Sequence, residues 1–367
     1  MPASLAPDPY LSIVIALRDD DYPRPLAARV RTFAARLERQ LGDGSDGLYE
    51  LVVVDWNPPP GARPAADFDF GGVRAQRHVV VPVSVHDTIA SSSQVRAFCG
   101  RPMLDYYARN VGIRRGTGEF VMVANQDILM ADAIADLIRN RSLRPDCFYR
   151  ADRVDVDVDP MADLPLDLMD HAVVTHRRHS LLYDAISVTN DHGSLRHADE
   201  SMDNGALIGR TFAEYWSEQP SGVAHGAHRN PATFHSVAPA VGLHTNAGGD
   251  FVLAHRDAWS AVRAFPETDT FYWHLDAYAI CHLWAAGYRQ ALFAAPHCVF
   301  HMEHPRGDQK SDEVMSWAEH DLILGRVLDG TEPPWFNGPA WGLPGLEAGC
   351  PVSPSAQTPE GRPQTLR

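Results

Sequence analysis

The chain has 367 residues, enough to bury a sizeable core as one large domain or two smaller ones. Its 45% apolar and 22% charged residues are ordinary for a globular protein. A net charge of −15 argues against wrapping a phosphate backbone, because nucleic-acid affinity is built from clustered cations, so no nucleic-acid partner is expected.

The five cysteines (Cys99, Cys147, Cys281, Cys298 and Cys350) are far apart and form no C-x-x-C pair. That pattern fits reduced thiols in a cytoplasmic protein better than a disulfide frame or a zinc knuckle. Residues 1–9 are too short and proline-rich for a signal peptide. The longest apolar runs, such as Leu11–Leu17, are strand-sized and far short of the ~20 residues a membrane span needs. No transmembrane segment is expected, and work at a membrane would be peripheral.

The first run, Leu11-Ser12-Ile13-Val14-Ile15-Ala16-Leu17, is continuous and β-branched, as a strand covered on both faces requires. It stops at Arg18-Asp19-Asp20-Asp21. Leu26, Val30, Phe33, Ala34, Leu37 and Leu41 follow at helical spacing. Leu51–Val54 predicts a second buried strand, ending in Asp55-Trp56-Asn57, and residues 78–83 a third. This β-α-β alternation predicts an α/β fold with a doubly wound, mostly parallel central sheet and helices on both faces. Residues 86–94 read as a polar loop, 102–115 as a helix, Phe120–Ala124 as a strand and 128–143 as a further helix. Residues 147–150 read as a short strand and 152–170 as an acidic, proline-containing loop.

Between 171 and 244 the apolar periodicity weakens, and nine histidines fall there. The segment reads as a long insertion with short, mostly solvated helices, or as a lid over an acceptor, since long loops inside compact domains are often functional. Order returns with a glycine-opened strand from Gly248, a short helix over 256–265, and a convincing helix over 276–287 ending at Gly287. A strand over 291–295 and the run Val299-Phe300-His301-Met302-Glu303-His304 follow. The expected division is 1–155, 156–247 as insertion, 248–345 as acceptor and catalytic half, and 346–367 as a disordered tail rich in Pro, Ser, Gln and Thr.

Tyr106-Tyr107-Ala108-Arg109-Asn110-Val111-Gly112, then Gly118-Glu119-Phe120-Val121-Met122-Val123-Ala124-Asn125-Gln126-Asp127, gives a helix, a glycine turn and a strand ending in polar residues. This layout resembles the A-type (GT-A) fold of nucleotide-sugar glycosyltransferases, in particular the family 2 group, over residues 11–151 and 248–304. Members read A-R-N-x-G, then a G-E-[FY] strand, then a D-x-D metal motif, whose first aspartate is here Asn125. The resemblance implies transfer of a sugar from a nucleotide-diphospho-sugar, UDP-linked, to a hydroxyl of a saccharide or small-molecule acceptor. It implies a Mn²⁺ or Mg²⁺ cofactor and an inverting reaction, although the fold alone does not fix stereochemistry.

Asp19 and Asp55 stand at strand ends, where carboxylates can meet ribose and base, though Asp there is also a common turn former. Asp55, Asn125 and the pair Arg109 and Asn110 carry over from the resemblance as donor contacts. Arg109 suits a diphosphate through its fork geometry, and equally suits a helix C-terminus. Asp127, in the position of the second D-x-D aspartate, is the metal candidate. His301 resembles the C-terminal histidine that completes the metal site, with His304 as its rival because strand alternation would turn the two to opposite faces. Asp276 is the implied general base, standing where the family carries an acidic pair whose other member is here Leu275. The same position would also suit a helix cap. Asp250, Trp273 and His274 are the acceptor-side candidates, and Trp273, Tyr272 and Trp259 offer a stacking surface or core.

Two rivals stand beside this reading. A nucleotidyltransferase would carry a glycine-rich phosphate loop after the first strand, which Leu17-Arg18-Asp19-Asp20 lacks. A degenerate transferase serving as a scaffold would account for Asn125 and Leu275. Richness in Ala, Arg, Asp and Pro points to a GC-rich bacterial gene.

Overall fold

The computed structural model describes residues 8–20, 25–92, 101–151, 153–157, 173–174, 184–188, 195–199, 243–244, 248–267, 275–293, 299–304, 325–327 and 329–346. The first strand, β1 (Leu11–Leu17), is buried along its whole length. Leu11, Ile13, Ile15 and Leu17 point into one core and Val14 into another, so the continuous apolar run serves two faces at once. Helix α1 (Leu26–Leu41) lays Leu26, Val30, Phe33, Leu37 and Leu41 on the first core, each such burial contributing roughly 1.5–3 kcal/mol before entropy is counted. It ends at Gly42, whose φ of 78° suits a residue without Cβ.

Strands β2 (Tyr49–Trp56) and β3 (Gln76–Val81) add in parallel on one side of β1. The chain then passes through α2 (Val83–Ser92) and α3 (Asp105–Arg115) and returns to lay β4 (Phe120–Ala124) on the other side of β1. Next come β5 (Ile128–Met130), α4 (Asp132–Arg139), β6 (Cys147–Ala151) and β7 (Arg153–Asp157). After β8 (Val173–Val174), β9 (Asp184–Val188), β10 (Leu195–Asp199) and β11 (Leu243–His244) the chain rejoins the main sheet as β12 (Phe251–His255). Helices α5 (Arg256–Val262) and α6 (Leu275–Ala285) and strands β13 (Arg289–Phe293) and β14 (Val299–Met302) complete it.

The central sheet has the order β13-β6-β12-β4-β1-β2-β3. Every strand runs the same way except β12, which is antiparallel to both β4 and β6. Helices α1 and α4 cover one face, while α2, α3, α5 and α6 cover the other. The fold is therefore α/β, with a seven-stranded, mostly parallel sheet between two helical layers. Its strand order reverses between β1 and β4, and such a switch point opens a crevice beyond the carboxyl ends of the strands.

Several segments differ from their sequence reading. The polar stretch 86–94 lies largely in helix α2, because Val85 and Ile89, one turn apart, pack against Trp56 while His86 Nδ1 accepts from Trp56 Nε1 at 3.1 Å. The expected helix over 128–143 is split: Ile128–Met130 is drawn into a strand by an antiparallel partner, β14, far away in sequence. The start of the acidic stretch 152–170 is strand β7, which pairs in parallel with the same β14. In 171–244 the described residues form strands rather than short helices: β8 joins β7, and β9 pairs with β10 and β11. The tail beyond 346 lies outside the described residues. Cys147 and Cys281 are free and buried, and among the described residues no helix is long and apolar enough to cross a membrane.

Candidate functional site

Because β1, β2, β4 and β6 are parallel, their carboxyl ends share one edge, and the antiparallel β12 contributes its amino end there, with Phe251 opposite Ala124. Asp19 follows β1, Asp55 is next to last in β2, Asn125 to Asp127 follow β4, Arg153 follows β6 and Gly248 to Asp250 precede β12. The sheet thus gathers side chains separated by more than a hundred positions in sequence into one crevice.

Asp127 lies between β4 and β5, 3% exposed. Its Oδ2 is 3.5 Å from His301 Nε2 and 3.2 Å from His304 Nε2, so both histidines converge on it. The alternation that would have parted them fails because β14 ends at Met302, two residues before His304. This segment is held from several sides. Met302 N donates to Asp127 O at 2.9 Å, Glu303 N to Val156 O at 3.0 Å, and buried Arg29 donates from both terminal nitrogens to Met302 O and Glu303 O at 2.6 Å each.

These three side chains offer ligand atoms within 4.8 Å of one another. Asp127 Oδ1 is buried with no hydrogen-bond partner among the described residues, a costly state for a carboxylate oxygen. One carboxylate and two imidazoles suit Mn²⁺ and neighbouring divalent transition ions, so the residues fit a metal. Burial opposes the charge on Asp127, yet the two imidazoles hold its carboxyl far below the usual carboxylate range. His301 shows the converse: burial disfavours its charge, but Asp127 and Asp155 raise it to about 9.

A polar network runs outward from this cluster. His301 Nδ1 lies 2.8 Å from Asp155 Oδ1, in an ion pair not aligned as a hydrogen bond. Arg153 pairs with Asp155 through Nε and Nη2 and with Asp250 through Nη1. Asp250 Oδ1 accepts from Asn125 Nδ2 at 2.8 Å, and Asn125 Oδ1 accepts from Arg109 Nη2 at 2.6 Å. Arg109 is buried, pairs with Asp105 at 2.7 Å and donates to Gly249 O. Gly249 N in turn donates to Asp276 Oδ2 at 3.0 Å.

Asp276 is the second residue of α6, so it lies in the first helical turn rather than at the cap. Its Oδ1 accepts from Ala277 N at 3.0 Å, and the positive end of the helix dipole favours its anion. Gly248 packs so tightly beneath it that an added Cβ would sit 2.8 Å from Asp276 Cβ.

The remaining candidates have largely internal contacts. Both ends of the fully buried Asn110 carboxamide bind the turn at Phe265 and Glu267. The side chains of Asn125, Asp250 and Arg109 are likewise engaged by protein groups, which makes them struts of the crevice wall. Asp55 is 3% exposed, its carboxyl pushed up by burial, and its Oδ2 accepts from Ala65 N at 2.9 Å. Asp19 accepts from Arg63 N at 3.0 Å, so the two strand-end carboxylates shape the loop after β2. Trp259 is core, its Nε1 donating to Val121 O at 3.0 Å. Trp273, His274 and Tyr272 lie outside the described residues.

Arg29, Arg153 and Asp155 were not singled out from the sequence. Arg29 is one arginine among several on α1, and only the distant strand β14 shows its purpose. The alternation Arg153-Val154-Asp155-Val156-Asp157 was the available signal for β7.

No protein-family profile and no curated protein matches this sequence. Among solved structures the chain is similar to S. aureus TarS, at 10% identity and a TM-score of 0.38, covering 80% of this chain and 36% of that one. Residues 1–349 of TarS match at 10% identity and a TM-score of 0.34, covering 79% of this chain and 60% of that one. The same residues in complex with UDP match at 9% identity and a TM-score of 0.39, covering 87% and 64%. The chain thus spans less than two thirds of the length of each.

Proposed function

We propose that this protein is a metal-assisted glycosyltransferase that takes a nucleotide-diphospho-sugar, UDP-linked, and passes the sugar to an acceptor hydroxyl. The observation that carries the reading is the convergence of Asp127, His301 and His304 beyond the carboxyl ends of parallel strands, at the point where strand order reverses. Asp127, His301 and His304 would hold the ion, which when bound would neutralise charge gathering on a diphosphate leaving group. Asp19 and Asp55, at the ends of β1 and β2, stand where the nucleoside would lie.

Asp276 is the general base in this reading. Its carboxylate takes the proton of the acceptor hydroxyl as that oxygen bonds to the anomeric carbon. The bond from that carbon to the phosphate oxygen breaks, and its electron pair leaves with the nucleoside diphosphate. In-line attack of this kind inverts the anomeric centre. The Gly249 N–H keeps the Asp276 carboxylate fixed toward the crevice wall.

A thermal-shift titration tests the reading, since a ligand that binds only the folded state raises its stability by mass action. UDP is expected to raise Tm in the presence of Mn²⁺ and to lose that effect in Asp127→Ala, with GDP as the comparison. Donor hydrolysis should vanish in Asp276→Asn. No shift with any nucleotide would defeat the proposal and favour a scaffold role.

A further inference from the structure

The geometry points to Asp155 as a positioning residue that fixes the ring of His301 so that Nε2, and not Nδ1, faces Asp127 and an incoming divalent cation. This rests on the proposed metal site and adds to it a residue outside the ligand set. Strands β7 and β14 are parallel neighbours with Asp155 in register with His301, so the backbone itself places the carboxylate beside the imidazole. Asp155 is fully buried, and its Oδ1 lies 2.8 Å from Nδ1 on the edge of the ring away from Asp127. An imidazole with one nitrogen against a carboxylate can present only the other to a metal, and such outer partners set both ring orientation and ligand basicity.

The position of Asp155 is itself fixed. Arg153 approaches the same oxygen through Nε at 2.9 Å and Nη2 at 2.8 Å, and its other arm reaches Asp250. Asp155, His301 and Glu303 also lie close enough to suggest a metal group of their own. Two facts speak against that alternative. The Arg153 guanidinium already supplies a cation to Asp155, and Glu303 Oε1 accepts from His304 N at 3.3 Å. Asp155 therefore acts through His301.

The test is Mn²⁺ binding to the full chain, read from the electron paramagnetic resonance signal of free Mn²⁺, in the wild type, Asp155→Asn, His301→Ala and the double variant. Asp155→Asn keeps the shape of the side chain and should weaken Mn²⁺ binding roughly 10- to 100-fold. In the His301→Ala background the same change should cost less than about threefold, because the residue through which it acts is gone. A wild-type affinity in Asp155→Asn, or an equal loss in both backgrounds, overturns the inference. If the asparagine variant melts early, Asp155→Glu, which keeps the charge against Arg153, gives the same comparison. Wild-type binding that Asp127→Ala abolishes while Asp155→Asn leaves it intact removes this inference alone. No Mn²⁺ binding by the wild type removes the metal site and the inference together.

Discussion

Arg29 offers the sharpest test of how the site is assembled. Its guanidinium, 3% exposed, rises from α1 and donates to the carbonyls of Met302 and Glu303, which separate His301 from His304. Arg29→Met removes both donors while filling much of the same volume. Loss of the donor costs about 1–3 kcal/mol at the buried Met302 carbonyl and less at the half-buried Glu303 carbonyl, and relief from burying a guanidinium offsets part of that. The expected net destabilisation is about 2–4 kcal/mol, since truncating one partner of a buried charged contact costs about 3–5. It should appear as a lower urea midpoint with an unchanged m-value. Mn²⁺ affinity should fall in the same variant, because the freed segment no longer brings His304 to Asp127. Arg29→Lys should not rescue it, since one ammonium lacks the fork that spans two carbonyls. A loss of under about 1 kcal/mol together with unchanged Mn²⁺ binding would refute this account of the segment.

Three further outcomes are expected. Asn125→Asp, which restores the D-x-D pattern, should destabilise the protein by about 1–3 kcal/mol, because it sets a carboxylate against Asp250 where an amide now donates at 2.8 Å. A raised melting temperature would contradict this. The metal-free protein should lose stability with rising pH through His301: the contribution of its raised pKa is complete below 6.5 and gone above about 9. Asp127, Asp155, His304 and Arg153 face this ring, so the comparison is urea unfolding of wild type and His301→Gln, whose difference should narrow across that window; a constant difference defeats it. Mn²⁺ competes with the same proton, and its affinity should rise over the same range. Gly248→Ala forces a Cβ to within 2.8 Å of Asp276 Cβ and 2.9 Å of Ile280 Cδ1, and should cost about 1–3 kcal/mol and lower donor turnover; an unchanged turnover number would show that Asp276 tolerates displacement.

The layered sheet was legible because a strand covered on both faces must be largely apolar, and the runs Ile13–Leu17, Leu51–Val54 and Phe120–Ala124 are. The position of Asp127 was legible for the same reason, since the apolar run of β4 stops at Ala124 and the polar residues begin there. What the sequence hid depends on pairing across long separations. Ile128–Met130 reads as the start of a helix until β14 supplies a partner, and Arg153–Asp157 reads as a charged loop until the same strand pairs with it. A single distant strand, β14, thus converts two misread segments into the sheet that carries His301. The convergence of both histidines was equally hidden, because strand periodicity cannot say where the strand stops.

Charge matching across the crevice explains why Asn rather than Asp stands at position 125. Asp105 pairs with Arg109, and Asp155 and Asp250 both pair with Arg153. An aspartate at 125 would add a further anion to a wall where one arginine already serves two carboxylates. The asparagine instead accepts from Arg109 and donates to Asp250, joining the two groups without adding charge. Asp127 differs from the other three acids: the side chains against its Oδ2 are imidazoles, which can surrender a proton, whereas a guanidinium cannot. Asp105, Asp155 and Asp250 are each neutralised by a permanent cation, with His301 also against Asp155, whereas Asp127 faces two imidazoles whose protons a divalent ion can displace.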